Sequence, residues 1–231
     1  MLGISAGLSN VKSMRVSSAW DPTKLADLAH WYKYNTAITT SHDSDEVTTW
    51  ADNHGSNNFT LGAGKVFKNS GDLDFTTGSS GGRLTLGTTW NPGTFSAYIV
   101  LKITAESIEN EELMNGGNSD FFRFNNSTTA RVKIGDTTTN DITLPGDEID
   151  VNTWFIFGIE WDGLTIRLYQ DSDYTSPTTA IDSDTFAGID DLGKRGSAFD
   201  GQIREVVLVN DVLSLGDRDN LMTHLKTVAS I

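Results

Sequence analysis

Apolar residues recur in short runs along this chain, and the densest set lies between Trp154 and Asn210. Trp154-Phe155-Ile156-Phe157-Gly158-Ile159-Glu160-Trp161 is apolar on both faces, which predicts a central strand covered on each side. Asp162-Gly163 follows, and then Leu164-Thr165-Ile166-Arg167-Leu168-Tyr169 alternates. Asp-Gly between two apolar runs predicts a hairpin with a type I′ turn, which needs positive φ at both central residues. In its second strand Leu164, Ile166 and Leu168 are expected inward, with Thr165, Arg167 and Tyr169 on a wet face. Phe199 to Asn210 reads as a third strand after a polar excursion.

The same reading extends along the chain. Asp21 as cap and Pro22 at the first helical position predict a short helical turn leading into a strand near Tyr32. Short strands are expected at Val47–Asp52 and from Phe59, around the turn cluster Asn53–Asn58, and Val66 to Leu86 holds two more around a Gly/Ser loop. Phe95–Ile103 is a buried strand, Glu106–Glu112 an acidic loop, and Phe121–Phe124, Ala130–Gly135 and Asp141–Leu144 a meander. Ala130, Val132 and Ile134 alternate with Arg131 and Lys133, so that strand has one solvent-facing side. Asp171 to Arg195 reads as a long polar connection with a short strand at Ala180-Ile181-Asp182. Leu213 to Val228 is the convincing helix, with Ser214 as cap, Asp217 three residues on, and Leu221, Met222 and Leu225 as its apolar stripe. Many short strands and scarce helix indicate an all-β sandwich or barrel.

Composition narrows the functions open to such a fold. With 17 basic and 31 acidic residues the formal charge is −14, which argues against a nucleic-acid or anionic-membrane partner. Cysteine is absent, so disulfides, thiolate catalysis and cysteine-ligated metals are excluded. No apolar run is long enough to span a bilayer, and Met1 to Val16 lacks the basic start and long apolar centre of a signal peptide. No linker or composition break divides the chain, so the economical organisation is an arm, residues 1–18, and one domain, residues 19–231. The arm is either disordered or laid against a partner.

Four segments, in this order, resemble the concanavalin A-like, laminin-G-like jelly roll: Asp21-Pro22 with Leu25 to Tyr32; Trp50-Ala51-Asp52-Asn53-His54-Gly55-Ser56-Asn57-Asn58-Phe59; the hairpin Trp154 to Tyr169; and Phe199 to Leu225, with Gly201, Ile203, Glu205, Asn210 and Ser214 at the family's positions. The resemblance covers about residues 20–228 and implies two antiparallel sheets with a short C-terminal helix. The fold hosts lectins, glycan hydrolases, adhesion domains and viral coat components, so function has to be argued from sites. The chain also resembles structural proteins of tailed bacteriophages, which append such a jelly roll to a short N-terminal arm like Met1 to Leu8 here.

Chemistry offers few candidates. A retaining glycosidase needs two carboxylates about 5–5.5 Å apart; Glu160 and Asp162 are separated by the turn, and Glu109 to Glu112 lies in a loop context. His30, His42, His54 and His224 are dispersed, as structural or solvated histidines would be. Calcium is the one candidate cofactor, with Asp43, Asp45 and Asp52 as its oxygen donors. Trp50, His54, Asn58 and Trp90 are the candidate glycan contacts, an aromatic platform with polar neighbours. The resemblances imply a non-enzymatic virion protein, a surface or decoration component of capsid or tail. Leu2, Ile4, Leu8, Val11, Met14 and Val16 of the arm would dock on capsid or tail subunits or on further copies of the chain. The alternative is a glycan-binding adhesin module for host attachment, with a hydrolase as the weaker third reading.

Overall fold

The computed structural model describes residues 20–34, 36–42, 44–75, 81–105, 108–116, 120–135, 139–175, 178–179, 186–193 and 199–231. The arm with Leu2, Ile4, Leu8, Val11, Met14 and Val16 lies outside the described residues, as do Asp43 and the strand expected at 180–182. After a 3-10 turn at Pro22–Lys24 come β1 (Leu28–Lys33), β2 (Ile38–Thr40), β3 (Val47–Trp50), β4 (Phe59–Ala63), β5 (Phe67–Lys68) and β6 (Leu73–Asp74). Then follow β7 (Arg83–Trp90), β8 (Phe95–Ile103), β9 (Glu111–Asn115), β10 (Phe121–Asn126), β11 (Thr129–Lys133) and β12 (Thr139–Thr143). The last third holds β13 (Phe155–Trp161), β14 (Thr165–Gln170), β15 (Asp173–Tyr174), β16 (Thr178–Thr179), β17 (Ile189–Gly193), β18 (Gly201–Val209) and the helix α1 (Leu215–Ala229).

Among the described residues these strands make two nine-stranded antiparallel sheets. The first runs β15-β14-β13-β8-β18-β6-β5, with β1 beside β18 and β16 beside β14; the second runs β12-β11-β10-β9-β17-β7-β4-β3-β2. This is the all-β jelly-roll sandwich of two antiparallel sheets, with a C-terminal helix. Among the described residues no helix is long and apolar enough to cross a membrane.

Between the sheets lies one continuous apolar cluster, with Trp50, Phe59, Phe95, Phe122, Phe124, Phe157 and Trp161 among its members. Every residue of β13 is buried. Phe155, Phe157, Ile159 and Trp161 face this core, whereas Ile156 belongs to a second cluster with Tyr98, Tyr169, Val207, Leu221 and Leu225 under α1. The helix therefore covers the outer face of the first sheet, and two expectations change. Tyr169, read as wet, is 2% exposed beneath α1, and Leu164, read as inward, is 60% exposed at the hairpin tip. The turn also differs. Trp161 pairs with Ile166, and of Asp162 and Gly163 only Gly163 takes a positive φ (91°). Asp162 Oδ1 instead accepts the N–H groups of Leu164 (2.9 Å) and Thr165 (2.6 Å), an Asx arrangement that lengthens the loop.

Capping behaves as the sequence indicates. Ser214 Oγ accepts from the Asp217 N–H (3.2 Å) at the start of α1, and Asp21 Oδ1 accepts from the Thr23 N–H (2.9 Å). The second sheet holds strands that the polarity of the sequence conceals, β9 and β17 among them. Glu111–Asn115, partly taken as an acidic loop, is fully buried as β9, and β17 arises inside the polar connection. Glu111 is 5% exposed and accepts the Asp200 N–H (2.7 Å). Burial, more than the nearby Asp200 charge, raises its pKa from 4.5 to about 7. The folded state thus holds a proton that the unfolded chain releases, so this group's contribution is fullest below the unfolded value and is lost as pH rises through about 7. We expect stability at about pH 8 to fall below that at about pH 5 by up to roughly 3 kcal/mol on this account. Urea denaturation of Glu111→Gln at both pH values checks it: the variant should lose that part of the slope.

Candidate ligand groove

His30 projects from β1 toward the turn that follows β3. Its Nδ1 lies 2.8 Å from Asp52 Oδ2, while Asp52 Oδ1 accepts the backbone N–H groups of Trp31 (3.1 Å) and His54 (3.0 Å). Gly55 makes room for this turn, since a Cβ there would sit 2.6 Å from Asp52 Oδ2. Burial works against the charged carboxylate, but the hydrogen bonds from His30 and from the N–H groups of His54, Trp31 and Gly55 outweigh it and hold the pKa at about 2. An ionised carboxylate only accepts, so Nδ1 carries the proton of this bond, which fixes the ring on the groove lining.

At the end of the neighbouring strand β18, Asn210 Oδ1 accepts the Trp90 Nε1–H (2.8 Å). That bond commits the acceptor of Asn210 and leaves its NH2 donors for a ligand. Asn57 is held at both ends, with Nδ2 donating to the Thr88 carbonyl (2.7 Å) and Oδ1 accepting the Thr88 N–H (2.8 Å). The Tyr32 hydroxyl donates to the Asn57 carbonyl. His30, Asn57, Thr88, Trp90 and Asn210, together with Thr89, Asn91, Pro92 and Gly93, line an open groove of about 540 Å³. Its described lining holds amides, hydroxyls and one imidazole, and no carboxylate. Such a surface can exchange hydrogen bonds with a neutral polyol in a fixed pattern.

The sequence-derived contacts redistribute around this groove. Trp50 is 0% exposed, tilted against Tyr32 and stacked on Phe59, with its indole N–H donating to the Lys33 carbonyl (3.1 Å). It is a core residue, which corrects the expectation of a platform. Trp90 packs edge-on against Phe95 and Phe186 and is 4% exposed, so it contributes a wall of the groove and no open ring face. His54 is exposed on the turn, and Asn58 spends its Oδ1 on the Asp52 N–H (3.0 Å). Of the calcium candidates, Asp52 has its oxygens taken up by the turn, Asp45 is exposed, and Asp43 lies outside the described residues. Among the described residues no three Asp, Glu or His side chains converge closely enough to hold a metal ion.

Glu160, weighed as half of a carboxylate pair, lies 2% exposed against α1. Arg218 donates to both of its oxygens (2.9 and 2.8 Å), and the hydroxyls of Tyr98 (2.8 Å) and Tyr169 (2.9 Å) donate as well. The carboxylate is a rivet between helix and sheet. His224 similarly contacts Glu205, Nε2 to Oε1 at 2.7 Å.

No family model matches the chain, and no curated protein sequence matches it either. Solved structures do resemble it. A mutant of Trypanosoma rangeli sialidase displaying trans-sialidase activity superposes with a TM-score of 0.61 at 11% identity, over 88% of this chain and 33% of that one. The receptor binding domain of botulinum neurotoxin D gives 0.60 at 11% identity, over 87% and 53%. The binding domain of botulinum neurotoxin DC, solved in complex with rat synaptotagmin II, gives 0.62 at 12% identity, over 87% and 52%. The chain thus spans about a third of the sialidase and about half of the toxin domains. At these identities the likeness is one of fold, the β-sandwich jelly roll.

Proposed function

We propose that the protein is a non-enzymatic binding module that receives a glycan in the groove between His30 and Asn210. One observation carries this reading: three polar residues of the lining are held in place by internal hydrogen bonds, Asn57 at both ends of its amide, Asn210 through its Oδ1 and His30 through its Nδ1, so that the Asn210 NH2 is uncommitted. A ligand then meets an ordered set of partners without the cost of arranging them. The engagement of buried carboxylates supports a binding role over a hydrolytic one. Glu160 is neutralised by Arg218, and Asp120 accepts the N–H groups of Gly135 (2.6 Å), Ala187 (2.6 Å) and Gly188 (3.0 Å). The test is a glycan array probed with the protein beside Asn210→Ala and His30→Ala. Each variant should weaken the strongest glycan signal roughly tenfold or more, about 1.4 kcal/mol, with the fold intact. Unchanged signals in both variants would remove the groove from the account.

A compatible second reading places the module on a phage particle, as a surface or decoration component of capsid or tail anchored by residues 1–18. The resemblance of Met1 to Leu8 to phage arms supports it, together with the position of Trp20, 6.1 Å from the His224 ring of α1. No residue of α1 lines the groove, so anchoring and ligand binding can operate separately. Deleting residues 1–18 should abolish incorporation into particles and leave glycan binding unchanged. Absence of the full chain from purified particles would sink the virion reading.

A further inference from the structure

The loop from Gly146 to Asp150 and the turn between β14 and β15 enclose a second cleft, of about 200 Å³, that shares no lining residue with the groove. Asp147, Glu148, Asp150, Asp171 and Asp173 contribute to its described lining, and no lysine or arginine does. Acidity alone would describe a solvated surface. Gln170, on the same lining, is 6% exposed. Its Nε2 donates to the Asp147 carbonyl (2.8 Å), which settles the orientation of the amide, since the reverse would set two oxygens against each other. Its Oε1 is buried without a hydrogen-bond partner. Gly146 packs on that amide so closely that a Cβ would lie 2.9 Å from Gln170 Cδ.

Beside it Asp171 holds a positive φ (51°) with its Oδ1 accepting the Ile156 N–H (2.9 Å). Burial raises the pKa of its carboxyl, with Asp173 pushing the same way and Lys226 opposing. A buried acceptor lacking a donor, beside a half-buried carboxyl and four exposed ones, is matched by one kind of ligand, cationic and carrying only donors. A metal ion fits poorly, because among the described residues no three Asp, Glu or His side chains converge to hold one. Guanidinium spreads five N–H donors over a plane and can reach an amide oxygen and a separate carboxylate together, which a compact ammonium does less well.

We infer that this cleft binds an arginine side chain of a partner protein, with Gln170 Oε1 and the Asp171 carboxylate as its acceptors. The inference stands independently of the glycan reading. Its test is an NMR titration of the full chain at about 0.15 M salt, where diffuse attraction is screened. The probes are acetyl-Gly-Arg-Gly-amide, its citrulline and lysine counterparts, and calcium chloride. The arginine peptide should saturably move the amide signals of residues 146–150 and 170–173 and the side-chain NH2 of Gln170, while citrulline, which has the shape without the charge, should not. Gln170→Leu and the exposed Asp173→Asn should each weaken the arginine peptide roughly tenfold, and the exposed Asp45→Asn, which is outside the cleft lining, should not. If Gln170→Leu fails to fold, Asp173→Asn carries the comparison. Three results would overturn the inference: no shift with the arginine peptide, equal and unlocalised shifts with arginine and lysine, or calcium moving these signals when the peptide does not.

Discussion

Arg218→Ala is expected to destabilise the fold by about 3–5 kcal/mol, because it strands a buried carboxylate. Arg218 and Glu160 are 7% and 2% exposed, and the guanidinium meets the carboxylate through two parallel bonds while also donating to the Leu213 carbonyl (2.9 Å). Without it Glu160 keeps, among the described residues, the hydroxyls of Tyr98 and Tyr169 as donors. The loss should appear in urea denaturation as a lower midpoint with α1 released from the sheet. Replacing both partners, Glu160→Leu with Arg218→Met, should recover most of it, since no charge is then left unpaired. A single-variant loss below about 1 kcal/mol would mean that the two tyrosines satisfy Glu160 by themselves.

Trp50→Ala is expected to cost a similar amount, about 3–5 kcal/mol, through the cavity it leaves in the core. The indole is fully buried between Tyr32 and Phe59, and its N–H satisfies the carbonyl of Lys33 at the end of β1. Thermal denaturation reads this directly. A stability within about 1 kcal/mol of the parent protein would return Trp50 to the surface role that its place in the 50–59 segment suggested.

How far the sequence could be read follows from the range of each signal. The strand at Phe155–Trp161, the Ser214 cap of α1 and the meander β10–β12 depend on neighbours a few residues apart, and local pattern finds them. β9 begins with two glutamates and β17 carries two aspartates, so their polarity concealed strands that bury carboxylates through long-range partners such as Asp200 and Thr85. Tyr169 illustrates the same limit: its wet face exists until a helix almost fifty residues later folds over it.

The groove was half legible. The turn at 51–58 and the segment around Trp90 stood out by composition, yet aromatic residues drew the eye to rings that pack inward. His30 and Asn210 join the site only because β1 lies along β18, a pairing that no local pattern encodes. Asn210 was visible as the end of the closing strand, and its exposure after a run of buried apolar residues was the available clue.

The function of the protein turns on where a glycan binds. Chemical-shift mapping of the isotopically labelled protein with the strongest glycan from the array answers that directly. The account predicts saturable shifts confined to His30, Asn57, Thr88 to Gly93 and Asn210, with the His30 ring signals among them. Shifts elsewhere on the sandwich that leave these residues unmoved, or no saturable shift with any glycan, would contradict it.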